Sequence, residues 1–332
     1  MHRIYCFGSF VAVLFSCLAL SAADPEAPAF TNAKKAGVDY ELQGEYAGVV
    51  QSDEGEKKIG VQVIALGDGK FKAVGYIGGL PGDGWSRGDK THTSEGELKD
   101  GVVRFKGEDD DIHADLKGAS ITVFAGATKV AEFSKTSRQS PTLGAKPPEN
   151  AIVLFDGSDV EQWENGQLIE DKWLAASNVA TKQAFGDHSL HVEFRTPFMP
   201  KSSGQARGNS GVYVQSRYEV QVLDSFGLEG KNNECGGIYS ISEPAVNMCL
   251  PPLTWQTYDI DFTAARFDDA GKKTKNARIT VKHNGVVIHN DIELTLGTPG
   301  RHPEGPTPEG LFFQDHGNPV VFRNIWIVEK SS

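Results

Sequence analysis

Short runs of alternating apolar and polar residues, cut apart by turn chemistry, constrain this chain more than any other feature. Residues 60–66 and 70–76 flank Gly67-Asp68-Gly69, and residues 277–282 and 286–289 flank Asn284-Gly285. Asp-Gly and Asn-Gly supply the positive φ that a two-residue hairpin turn demands at both central positions, so each pair of runs reads as two antiparallel strands. Runs at 102–105, 112–116, 121–124, 189–194, 211–215, 257–262 and 322–328 keep the same rhythm, and no long 3.6-residue apolar period interrupts them. The fold class that follows is all-β. Residues 140–148, Ser-Pro-Thr-Leu-Gly-Ala-Lys-Pro-Pro, lack any period and are rich in Pro and Gly, which marks a stiff linker at 140–149. It separates a smaller all-β domain at 24–139 from a larger unit at 150–332, whose many short strands suit a two-sheet jelly roll. In the first unit, residues 78–85 form a Gly-rich loop that carries Trp85 but lacks the Lys-Ser/Thr and the helix of a phosphate cradle. Trp85 reads as a core plug, and no chemistry is assigned to that domain.

The first 23 residues read as a secretory signal: Arg3, an apolar run from about Phe7 to Leu20, and the small residues Ser21-Ala22-Ala23 at the cleavage site. A lipoprotein reading at Cys17 is the alternative, with Phe15 a poor fit to it. No later run is long enough to span a bilayer, so the mature chain is expected to be secreted or periplasmic, with no membrane span. Removal of Arg3 leaves 32 basic against 44 acidic residues, a formal charge of −12. Nucleic acid and anionic membranes need a basic footprint, so neither is an expected partner. Cys235 and Cys249 remain after cleavage. In an oxidising compartment they read as one disulfide closing a short loop, with two buried thiols as the alternative.

The run Tyr218-Glu219-Val220-Gln221-Val222-Leu223-Asp224 places two carboxylates and an amide at the spacing E-x-Q-x-x-D. Strand alternation puts Glu219 and Gln221 on one face and the valines on the other. Asp224 is out of step, and a bulge would return it to the Glu219 face. An edge strand showing solvated polar groups is the competing reading. Other polar clusters accompany it: Asn209-Ser210-Gly211, Tyr239 after Cys235-Gly236-Gly237-Ile238, and Gln314-Asp315-His316-Gly317. Amides, phenols and imidazoles of this kind bind hydroxyl groups, which suits a sugar. Ser210 stands outside any G-x-S-x-G turn, and no H-E-x-x-H is present, so serine and zinc hydrolysis find no support. Glu219, Asp224 and His316 could together hold a divalent cation; no organic cofactor is expected.

Taken in order, Leu154-Phe155-Asp156-Gly157 with Trp163, Asn209-Ser210-Gly211, the 218–224 run, Cys235-Gly236-Gly237-Ile238-Tyr239, Trp255-Gln256-Thr257-Tyr258, Asn284-Gly285, Gln314-Asp315-His316-Gly317 and Phe322-Arg323-Asn324-Ile325 resemble the 3-keto-disaccharide hydrolase family. Its members are also described as 3-keto-glucoside lyases and 3-keto-glucal hydratases. The resemblance covers about residues 150–330 and implies a concanavalin-like jelly roll with a 3-keto-glycoside as substrate. Residues 198–207 depart from it by lengthening the approach to Asn209. Laminarinase-type enzymes carry E-x-D-x-x-E at the corresponding strand, so Gln221 turns the chemistry away from double displacement, which needs two carboxylates about 5 Å apart. The resemblance implies proton abstraction at C2, β-elimination at C1 and rehydration, with Glu219 or His316 as base and Asp224 assisting. Gln221, Asn209, Tyr239, Gln314 and Arg323 then contact hydroxyls or the oxyanion, and Trp255 stacks on the ring. A non-catalytic sugar-binding module and a laminarinase-like hydrolase are the alternatives.

Overall fold

The computed structural model describes residues 28–52 and 55–330. The expected secretory signal lies outside them, and none of the described helices is long and apolar enough to cross a membrane. After a short helix, α1 (Gly37–Leu42), eight strands follow one another as hairpins: β1 (Gly44–Ser52), β2 (Gly55–Gly67), β3 (Lys70–Ile77), β4 (Thr91–Lys99), β5 (Val102–Lys106), β6 (Ile112–Lys117), β7 (Ser120–Ala125) and β8 (Thr128–Thr136). Their sheet closes on itself, because Tyr46 of β1 pairs with Val61 of β2 on one side and Lys135 of β8 on the other. The small sheet expected from the sequence is therefore a closed up-and-down barrel, which leaves no free edge. The β2–β3 turn forms as its sequence dictates, with Asp68 at φ 54° and Gly69 at φ 72°.

Thirteen strands build the two main sheets of the second unit, beside a small ribbon of Arg266–Phe267 and Lys273–Lys275. They are β9 (Ile152–Phe155), β10 (Trp163–Glu164), β11 (Leu168–Ile169), β12 (Trp173–Ala175), β13 (Val179–Thr181), β14 (His188–Arg195), β15 (Ser210–Val214), β16 (Tyr218–Val222), β17 (Gln256–Thr263), β18 (Ala277–His283), β19 (Val286–Leu294), β20 (Phe312–Phe313) and β21 (Val321–Glu329). One sheet runs β11-β12-β21-β14-β17-β18-β19 with β9 added beside β21, and the other runs β10-β13-β20-β15-β16. Between them lie Val192, Phe194, Tyr258 and Ile260 from the large sheet and Val212, Val214, Val220, Val222 and Phe313 from the small one, all buried. Each such side chain taken out of water contributes about 1.5–3 kcal/mol. Two-sheet packing of this kind is the sandwich the sequence pattern predicts.

The two units pack firmly together. Ile64, Val74 and Tyr76 point out of the barrel and join the core of the sandwich, where Trp85 packs edge-on to Tyr76 at 5.2 Å. In return, Phe198 of the sandwich is buried in the barrel's apolar cluster beside Leu42 of α1. Arg87 donates to the carbonyls of Gly230 at 2.7 Å and Pro244 at 2.8 Å. The Pro/Gly segment does not hang free. Ser140 meets Thr257 at 2.6 Å, Thr142 donates to Asp259 at 2.7 Å, and the Gly144 amide donates to Glu193 at 2.5 Å, so the segment is strapped across the outer face of the large sheet.

Candidate active site

Strands β15 and β16 carry the site, and their register decides which groups meet. Gly211 pairs with Gln221 and Tyr213 with Glu219. Val212, Val214, Val220 and Val222 face the core, so alternation places Asn209, Gly211, Tyr213, Glu219 and Gln221 together on the opposite face. The connecting turn is formed by Gln215, Ser216 and Arg217, the first two in the left-handed region at φ 50° and 53°. Side chains of this size rarely adopt that conformation. Tertiary contacts hold them there: Gln215 donates to the Phe185 carbonyl at 2.7 Å and Ser216 to the Gly310 carbonyl at 2.9 Å.

Glu219 is 3 % exposed, and burial penalises its charged form. A hydrogen bond from the Tyr213 hydroxyl partly offsets this, and the carboxyl is left with a pKa raised to about 8. The Glu219 amide donates to the Thr298 hydroxyl at 2.9 Å, which fixes the backbone beneath it. The end of the Gln221 side chain lies 2.6 Å from Glu219 Oε1. An amide has a donor and an acceptor end, so Gln221 can accept from the protonated carboxyl or, turned over, donate to the carboxylate. Asn209 completes the row, with Nδ2 donating to the Gln205 carbonyl at 2.8 Å and its side-chain oxygen at 3.1 Å.

Gly211 has no side chain for a reason visible here: a Cβ at this position would overlap Glu219 Oε1 and stand 2.8 Å from the Tyr213 ring. Gly211→Ala is expected to displace the carboxyl and lower the rate of any reaction run by Glu219 by about 10²-fold, as a misplacement of about 1 Å does. Steady-state kcat/KM measures this, and an unchanged value places the chemistry elsewhere.

The remaining residues singled out in the sequence divide into three groups. Tyr239 joins the Glu219 strand, its amide donating to the Glu219 carbonyl at 3.3 Å, and the Gln314 amide donates to the Gly211 carbonyl at 3.1 Å. His316 follows two residues later, half-buried. Asp224 goes elsewhere. Its Oδ2 accepts from Arg207 Nε at 2.6 Å, both side chains are buried, and the expected bulge back to the Glu219 face is replaced by the end of β16 at Val222. With that carboxylate paired to a guanidinium, Glu219, Asp224 and His316 are not gathered around one point as a cation site would need. Among the described residues no three His, Cys, Asp or Glu side chains gather at metal-holding distance.

Trp255 and Arg323 form the third group, on the other sheet. Arg323 of β21 donates to Glu193 at 2.6 Å and lies 4.1 Å from the Trp255 ring centroid. Burial opposes ionisation of Glu193, but hydrogen bonds from His191, Asn324, the Gly144 amide and Arg323 outweigh it and hold the carboxyl at about 2. Arg323 is thus committed to a structural carboxylate under the 140–146 strap. The pair expected to form a disulfide is also corrected: Cys235 and Cys249 are free, buried thiols. Cys235 Sγ lies 3.2 Å from the Tyr258 hydroxyl, Cys249 Sγ meets the Leu250 carbonyl at 3.5 Å, and the two neighbouring thiols hydrogen-bond to each other. Tyr213, Gln205 and Thr298 were not anticipated. Pairing the 211–215 run against 218–222 with Val214 opposite Tyr218 would have found Tyr213, but the three-residue turn Gln215-Ser216-Arg217 lacks the usual turn signature.

Residues 150–328 match the family model described as a 3-keto-alpha-glucoside-1,2-lyase-like domain. The chain belongs to this family. Among solved structures, this chain is similar to a Parabacteroides distasonis protein classed as a glycosyl hydrolase, with 34 % identity over 55 % of this chain and 84 % of that one and a TM-score of 0.50. A second glycosyl-hydrolase-class protein from the same organism is 18 % identical over 55 % of this chain and 95 % of that one, with a TM-score of 0.41. Among curated proteins, none matches significantly. The matched span covers the sandwich and the Glu219 row and stops short of the barrel.

Proposed function

We propose that this family member is an exported, carbohydrate-active enzyme that cleaves 3-keto-glycosides, with Glu219 as the base. The observation that carries the reading is a buried carboxyl, poised near neutral pH, set in a row of amide and phenol groups. A ketone at C3 acidifies the C2 proton. Glu219 takes that proton, and the C2–H electrons pass into a C2=C3 enediolate whose charge rests on O3. Their return re-forms the C3 ketone, makes a C1=C2 double bond and expels the C1 oxygen with its bonding pair, and that oxygen is reprotonated. Water then adds across C1=C2, its proton going to C2 and its hydroxyl to C1. A base is most effective when its pKa lies near the working pH, and the Glu219 environment provides that. Asn209, Gln221 and Tyr239 are assigned to the sugar hydroxyls and the developing oxyanion, where preorganised donors act most strongly. Gln314 and His316 are assigned to the sugar or the leaving group at the rim.

Two observations weigh against the alternatives. Double displacement needs a second carboxylate near Glu219, and Asp224 is tied to Arg207. A sugar-binding module needs an aromatic platform at its site, and Trp255 lies on the other sheet between Arg323 and Trp173. The reading is tested by incubating the mature protein with a 3-keto-glucoside, with and without chelator, and following aglycone release. Sugar binding without release in any metal condition overturns it. Since Glu219 must be ionised to act, kcat/KM should rise with pH through about 8 and level off above it. A profile that is flat or falling from pH 6 to 9 removes Glu219 from the role of base.

A further inference from the structure

The barrel has an end that its own side chains do not fill. An eight-stranded barrel is just wide enough either to be packed solid or to hold one small ligand. Here the end beside the sandwich is packed: Tyr46, Val63, Phe71, Val103 and Leu116 are fully buried, and Leu42 and Phe198 join the same cluster. The opposite end holds a cavity of about 480 Å³. Its walls are apolar, from Val61, Phe105, Ile112, Ile121 and Phe133. Room is left because small residues line it on three strands: Ala73 and Gly75 of β3, Ser94 of β4 and Ala114 of β6. Ala73 lies directly opposite Ser94 in the β3–β4 register, so the two together remove the bulk of a pair of side chains from one level of the lumen.

The rim has a definite polarity. His92 Nδ1 lies 2.7 Å from Glu108 Oε1 and Lys90 Nζ 3.7 Å from Glu108 Oε2, with Asp109, Lys106 and His113 beside them on the lining. With Nδ1–H donated to that carboxylate, the neutral imidazole keeps Nε2 as an acceptor. Lys90 and Lys106 balance Glu108 and Asp109, so the rim carries no excess charge to hold an ion. Apolar walls with two phenylalanines, an imidazole acceptor at the mouth and a rim of balanced charge select a compact, uncharged aromatic molecule that carries a hydroxyl. We propose that the open end of the barrel binds one such molecule, a phenol or aryl alcohol, with its ring packed on Phe105 and Phe133 and its hydroxyl donating to His92. This site is separate from the Glu219 row and stands or falls independently of the proposed cleavage.

The probe is 2-naphthol, titrated into the mature protein by calorimetry, with naphthalene as the analogue that lacks the hydroxyl. Saturable binding at one site per chain is expected for 2-naphthol. Gly75→Leu fills the lumen: its Cβ meets nothing nearer than 3.8 Å, so the backbone tolerates it while the added isobutyl group occupies the cavity. This variant should lose at least tenfold in affinity, with its circular dichroism spectrum unchanged. His92→Ala should weaken 2-naphthol by about fivefold to tenfold and leave naphthalene unaffected. If Gly75→Leu does not fold, Ala114→Leu blocks the same lumen and is read in the same way. Absence of saturable binding by the wild-type protein, or equal affinity in the lumen-filled variant, overturns the proposal.

Discussion

Glu219→Gln should lower aglycone release by about 10²–10⁴-fold, the range that a positioned acid–base group contributes. The same substitution should stabilise the fold at and above neutral pH. In the unfolded chain this carboxyl ionises near the ordinary value of 4.5, whereas the folded protein holds its proton up to about 8. Between those values the native state binds more protons than the unfolded state, so wild-type stability falls as pH rises, at no more than about 1.4 kcal/mol per pH unit from this group. Gln is neutral throughout and carries no such slope. Release rates together with urea melts at pH 5, 6.5 and 8 measure both effects. A variant that keeps the full rate, or a difference in stability that does not grow with pH, contradicts the assignment of Glu219 as a buried, titrating base.

The second large effect concerns Asp224 and stability. Arg207 and Asp224 form a buried pair, with side-chain exposures of 7 % and 1 %, and Arg207 Nη1 also donates to the Ala65 carbonyl of the barrel at 3.2 Å. Asp224→Ala strands the guanidinium between the two units without its counter-charge. Breaking such a pair from one side costs about 3–5 kcal/mol, because the desolvated charge remains. Arg207 Nη2 has no protein partner even in the intact pair, so little compensation is at hand. Replacing both members, Arg207→Leu with Asp224→Leu, should recover most of the loss. Urea midpoints, compared at constant slope, read this directly. If Asp224→Ala left the midpoint in place, the pair would not be the clamp between barrel and sandwich described here.

Much of the architecture was legible because it rests on local rules. Asp68-Gly69 and Asn284-Gly285 adopt the positive φ angles their residue types favour, with Asn284 at 49° and Gly285 at 80°, and the strands on either side pair as alternation requires. The facing of Glu219 and Gln221 away from Val220 follows from the same period of two. Closure of the barrel was not legible, because β1 meets β8 across more than 80 residues and no local pattern marks that pairing. Arg323 and Trp255 were grouped with Glu219 for their chemistry, yet they stand on a different sheet. Polar type tells which residues bind hydroxyls; it carries no information about which sheet a strand joins.

By itself, the sequence determined that this chain is all-β, that it has two units and that Glu219 and Gln221 share a face, since turn chemistry and side-chain alternation act over a few residues. Only the tertiary structure decided what those groups do. Glu219 becomes a carboxyl whose pKa is raised to about 8 because distant segments bury it, with Tyr213 brought opposite by a turn held from Phe185 and Gly310. Asp224 becomes a structural anion because Arg207 reaches it first. Desolvation and charge pairing set the chemistry of a carboxyl, and both depend on neighbours that the fold, and not the local sequence, supplies.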